Sequence, residues 1–139
     1  MKKVLLVLIC VLPTCTKEHK RVQPMSASEL VGLYQGTKEG ANDTLELLTP
    51  ERYVHRSTKS GVVAFHEGAW ILTSAGTGDG AVTFVTLKGL CLDWARGPGT
   101  TRCDENTSDR AWSLQVLTRG GRVSLDVVSD VGLYFVKVR

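Results

Sequence analysis

Residues 62–87 read VVAFHEGAWILTSAGTGDGAVTFVTL, and the spacing of their apolar side chains decides the fold. One alternate set is Ala64, His66, Gly68, Trp70 and Leu72; the other is Val63, Phe65, Glu67, Ala69 and Ile71. A period of two is strand spacing, because successive Cβ atoms point to opposite faces of a sheet. The run AGTGDG at 75–80 supplies a turn in which a positive φ costs little. Val82, Phe84 and Val85 then restart a β-branched and aromatic run, so the stretch reads as a β-hairpin.

The same style recurs on both sides. Upstream, Ser26-Ala27-Ser28-Glu29 has capping-box spacing and predicts one helical turn. A strand over residues 30–35 follows, then a second in which Leu45 and Leu47 share one face while Glu46 and Leu48 share the other. Pro50-Glu51 turns the chain into a strand over residues 52–56. Downstream, residues 90–94 form a further short strand or the end of the Val82 strand after a break at Gly89. Residues 95–109, ARGPGTTRCDENTSD, are a long polar loop of the kind that serves function or moves. Trp112, Leu114 and Val116 alternate with polar residues, as do Val123, Leu125 and Val127 across the Arg119-Gly120-Gly121 turn. A strand over residues 131–138 ends the chain. About eight short strands with tight turns and no helix pattern predict an all-β fold, a single antiparallel up-and-down β-barrel. Closure removes the exposed edges that invite aggregation, and about eight strands enclose side chains or one small ligand.

The chain's 139 residues accommodate one domain. Met1-Lys2-Lys3 is a basic start, and the apolar run VLLVLICVL at 4–12 is too short for a spanning helix, which needs roughly 20 residues. With Pro13-Thr14-Cys15 these are the parts of a bacterial secretory signal over residues 1–14. Leu12-Pro13-Thr14-Cys15 resembles the lipobox of bacterial lipoproteins, which implies that Cys15 is lipidated and becomes the mature N-terminus. Thr16, rather than Asp, at the next position matches the sorting pattern for the outer membrane. Simple signal cleavage near Cys15 and a secreted or periplasmic protein is the alternative. Residues 15–28 read as a polar tether and 29–139 as the barrel domain. Cys10 leaves with the signal and Cys15 sits at its end, so Cys91 and Cys103 are left as a pair, which export favours as a disulfide. Seventeen Lys and Arg against fourteen Asp and Glu leave no basic stripe, which excludes a nucleic-acid footprint.

Gly32-Leu33-Tyr34, Asp43-Thr44-Leu45-Glu46-Leu47 with Tyr53, Glu67-Gly68-Ala69-Trp70 and the C-terminal DVGLYFVK at 130–137 carry a family resemblance. Together they resemble small bacterial lipoproteins with a lipocalin-like (calycin) barrel, most of them without assigned function. The resemblance implies that the aromatic residue of the first strand is covered by a cation from the last. Here Tyr34 takes the aromatic position, and Lys137 or Arg139 the cover, a cation–π contact of about 0.5–2 kcal/mol.

Tyr53, His55, His66 and Glu67 form the one cluster that suggests chemistry. A turn centred near Lys59 predicts that Tyr53, His55, Val63, Phe65 and Glu67 share a face, with His66 on the other. Histidines ligate metals and carry protons, but neither a third ligand nor a paired carboxylate accompanies these two. They read as structural or surface residues. Glu67 lacks the second group a general acid needs. Trp70 and Trp112 read as core, while Trp94, beside Asp93, Arg96 and the long loop, is placed to meet a ligand. No Gly-x-Ser-x-Gly elbow is present. No catalytic residue, metal or cofactor is assigned.

These observations predict an exported, lipid-anchored cell-envelope binding protein without catalysis. It takes a small apolar ligand in the barrel or a protein partner at the rim. A filled-core interaction or inhibitor module is the alternative, followed by a metal-dependent or hydrolytic enzyme using His55 and His66.

Overall fold

A computed structural model of the chain describes residues 20–21, 25–36, 42–59, 61–77, 80–90, 111–128 and 132–139. In chain order the elements are β1 (Lys20–Arg21), α1 (Ala27–Leu30), β2 (Gly32–Gly36), β3 (Asn42–Leu48) and β4 (Arg52–Lys59). The long β5 (Val62–Ala75) is followed by β6 (Val82–Lys88), β7 (Ala111–Arg119), β8 (Arg122–Val128) and β9 (Leu133–Lys137). Each strand from β2 to β8 pairs antiparallel with the next, and β9 pairs back onto β2, so eight strands close an up-and-down barrel. Lys20 and Arg21, inside the stretch read as a tether, add a two-residue strand beside β7.

Alternation explains why these segments close around one interior. Asp43, Leu45 and Leu47 of β3 are buried while Thr44, Glu46 and Leu48 are half-buried, and β6 repeats the pattern with Thr83, Val85 and Leu87. Every barrel strand contributes to a core that includes Tyr34, Leu45, Tyr53, Trp70, Val85, Leu114, Leu125 and Phe135. Because neighbours run antiparallel, α1, the C-terminus and the turns at 49–51 and 120–121 lie at one end. The last residues of β2, β4 and β8 and the first residues of β3, β5 and β9 lie toward the other.

The α1 end is closed by reciprocal bonds. Ser26 donates its backbone N–H and its hydroxyl to the Glu29 carboxylate, each at 2.7 Å, which starts the helix and holds the Glu29 carboxyl below the usual carboxylate range. Leu30, which ends this helix rather than opening the first strand, is fully buried. A helix leaves its last carbonyls without intrahelical partners, and the barrel supplies them. The Tyr34 hydroxyl donates to the Leu30 carbonyl at 2.6 Å, and the Lys137 ammonium donates to the Glu29 carbonyl at 2.6 Å. Gly32 lets the chain end come this close: a Cβ there would stand 2.3 Å from the Arg139 carbonyl oxygen, and its φ of +145° is one that other residues rarely adopt.

β5 changes partner midway. Its first part pairs with β4 as far as Ala69, and from Trp70 onward it pairs with β6. Tyr53 bridges this change of partner by reaching over Gly68 to donate its hydroxyl to the Lys88 carbonyl at 2.7 Å. A Cβ on Gly68 would lie 2.5 Å from that carbonyl oxygen and 3.0 Å from the Tyr53 ring. The Trp70 indole donates to the Leu48 carbonyl at 3.0 Å and its backbone N–H to Glu51 at 2.9 Å, which ties β5 to the β3–β4 turn.

The β4–β5 register corrects the expected faces. Lys59 pairs with Val62, so the turn is centred beyond Lys59. An odd residue of β4 therefore faces an even one of β5: Tyr53 meets Gly68, His55 meets His66 and Ser57 meets Ala64. His66 lies on the same face as His55, not opposite to it. Val63, Phe65 and Glu67 point outward and are exposed. The alternation inside β5 is as expected; a turn centred on Lys59 would set His55 against Val63, whereas His55 meets His66, three residues further on, and an odd shift swaps every face.

Candidate functional site

The inward residues of β3 run Leu47, Leu45, Asp43 away from α1, and those of β4 run Tyr53, His55. On these two strands the inward face thus turns from apolar to polar toward the end opposite the helix. There His55 Nε2 lies 2.6 Å from Asp43 Oδ1, and His55 Nδ1 lies 3.2 Å from His66 Nδ1. Asp43 is fully buried and His55 is 1 % exposed, while His66 is half-buried. The ring planes of His55 and His66 are 24° apart with centroids 5.4 Å apart, so the two imidazoles meet edge to edge, and Phe135 of β9 meets His55 edge-on.

Register builds this chain of three. Leu45 pairs with His55 and His55 with His66, so the two imidazoles are direct cross-strand neighbours. Asp43 is two residues along β3 from Leu45 on the same face, which brings its carboxylate to the far side of the His55 ring. An ionised carboxylate only accepts, so Nε2 of His55 donates to Asp43. One proton then lies between the two Nδ1 atoms, carried by one ring and accepted by the other. Asp43 orients His55 and His55 orients His66, which is the arrangement that fixes imidazole tautomers in acid–base and metal sites.

The other residues named from the sequence are placed as follows. Tyr34 and Tyr53 are buried with their hydroxyls bonded to backbone carbonyls, and burial pushes both phenols up, Tyr53 to about 12. Lys137 stands opposite Tyr34 in the register with its amine 6.0 Å from the ring centroid. Trp70 is buried and Trp112 packs against the core from a half-buried position. Glu67 is on the outer face, 3.6 Å from Arg52 in an exposed pair, and takes no part in the histidine cluster. Trp94, the 95–109 loop, Cys15, and Cys91 with Cys103 all lie outside the described residues.

Two features escaped sequence reading. Asp43 is one: its place on the Leu45 and Leu47 face was a signal, since a carboxylate on a buried face needs a partner. The second is on the outside of β7, β8 and β9. Arg119 grips the Asp126 carboxylate with Nε at 3.2 Å and Nη2, Ser124 donates to the same carboxylate at 3.2 Å, and the guanidinium lies 4.1 Å from the Tyr134 ring centroid. This cluster ties three strands and is structural. A cleft of about 330 Å³ lined by Arg122, Lys137, Arg139 and their neighbours opens at the α1 end. No family model, curated protein or solved structure matches the chain.

Proposed function

We propose that the protein is an exported cell-envelope lipoprotein, anchored through Cys15, whose barrel binds at the end opposite α1. The observation that carries this is the polarity of the interior. The α1 end is closed by Tyr34, Lys137 and the helix, and large side chains such as Tyr53, Trp70 and Phe135 occupy the core. The Asp43–His55–His66 chain lies toward the end where β2 and β4 finish and β3 and β5 begin. Loops held at one end of a rigid barrel are where binding residues concentrate. Large side chains in the core favour contact at this rim, by a partner or the head of a small ligand, over carriage of an apolar molecule deep inside.

Two measurements test the reading. Labelled palmitate is expected on Cys15, with Cys15→Ala releasing the protein from the membrane; retained attachment would overturn the anchor. A photo-crosslinker at Ala64 is expected to yield adducts in intact cells, and one at Ala27 on α1 is not. The opposite pattern overturns the proposed binding end. Hydrolysis is a second reading, favoured by the same carboxylate-oriented histidine chain. Turnover of model esters that is abolished by His66→Gln would establish it in place of simple binding.

A further inference from the structure

The Nδ1 atoms of His55 and His66 stand 3.2 Å apart inside the barrel, and we infer that they form the protein half of a site for a divalent transition-metal ion, zinc or copper. Two imidazole nitrogens bound to one metal at about 2.0–2.1 Å are about 2.9 Å apart at a right angle and about 3.4 Å apart at the tetrahedral angle. The observed separation falls between these limits, so a metal can replace the shared proton once the two rings turn until both Nδ1 lone pairs converge on it.

Three further observations point the same way. His55 and His66 are direct register partners on adjacent strands, so the backbone holds the spacing and little side-chain freedom is left to lose. Asp43 accepts from Nε2 of His55 at 2.6 Å, which leaves Nδ1 as the coordinating atom and fixes the ring's orientation. His66 is only half-buried, which gives the ion a route to the pair. Imidazole donors suit zinc, copper and nickel, whereas calcium and magnesium take oxygen ligands. Among the described residues no group of three His, Cys, Asp or Glu side chains gathers at a metal position. Water or a bound ligand would complete the coordination, as at metal sites that keep open positions.

Titration calorimetry of the full chain with zinc chloride or copper sulfate, near neutral pH, tests this. One ion per chain is expected, bound more weakly as pH falls and protons compete for Nδ1. His66→Gln is expected to weaken binding at least about tenfold, and Asp43→Asn about 10- to 100-fold. His19→Gln, which removes the one remaining histidine of the three in the sequence, is expected to change nothing. Since a variant at a buried position risks misfolding, the ring nitrogens of His55 and His66 are also followed by NMR in the unaltered protein, where zinc must shift both. No heat and no nitrogen shift in that protein overturns the proposal. Equal binding by a folded His66→Gln variant, or binding lost in His19→Gln, overturns it as well.

Discussion

Lys137 on the last strand stands directly opposite Tyr34 on the first barrel strand, and its ammonium reaches past the ring to the Glu29 carbonyl at 2.6 Å. One side chain therefore joins the β2–β9 seam to the C-terminal turn of α1. The amine lies 6.0 Å from the Tyr34 ring centroid, at the outer limit of a cation–π contact, so the hydrogen bond and the helix end provide most of its effect. Lys137→Met is expected to cost about 1 kcal/mol, read from the midpoint of urea unfolding. Lys137→Glu is expected to cost more, because it sets a negative charge against the helix carbonyls.

Gly68→Ala tests the crossing of Tyr53 over β5. The added methyl would sit 2.5 Å from the Lys88 carbonyl oxygen, which is backbone and has little room to yield. Overpacking of this kind costs about 1–3 kcal/mol. Tyr53→Phe keeps the ring and removes only the bond to Lys88, so a smaller loss of about 1 kcal/mol is expected. Equal losses in urea unfolding would contradict the idea that Gly68 serves as the gap for the ring.

The strands and the closed barrel were legible because period-two burial is local. Leu45 with Leu47, Trp70 with Leu72, and Leu114 with Val116 announce their face within a few residues. Register was not legible, because β5 is apolar on both faces: Val63 and Phe65 are as hydrophobic as the inward set, yet they are 67 % and 53 % exposed. Hydrophobicity could not choose between two pairings of β4 with β5. The choice rests on the pairing of Lys59 with Val62, within a polar run where several turns are equally plausible. The meeting of His55 with His66 depends on that choice, and the Arg119–Asp126 grip likewise needs the β7–β8 pairing before it can be seen.

Alkaline titration follows from the buried phenols. Burial holds the Tyr53 proton to about 12 in the folded protein, against an ordinary value of 10 in the unfolded chain, and raises Tyr34 as well. The folded state binds more protons than the unfolded one above pH 10, so stability falls as pH rises through that window. Below 10 both states are protonated and the contribution is fully present. Urea midpoints are expected to be flat with respect to these groups up to about pH 10 and to drop between about 10 and 12. The drop should be shallower in Tyr53→Phe.

The Asp43–His55 contact invites a different expectation, because both side chains are buried and each relies on the other. Removing one partner strands a polar or charged group in the core, so Asp43→Leu is expected to cost about 3–5 kcal/mol. Replacing the pair together removes both buried polar groups and leaves only the half-buried His66 to lose its bond to His55. Asp43→Leu combined with His55→Leu is expected to recover most of that loss, since apolar substitution of a buried pair is often neutral or stabilising. A double-mutant cycle in urea measures the coupling directly. Strong recovery would mean that a more stable interior was accessible to this fold, and that the chain running from Asp43 to His66 is kept for what it binds. A double variant as unstable as the sum of its parts would instead make the pair a structural necessity and remove the energetic argument for a site there.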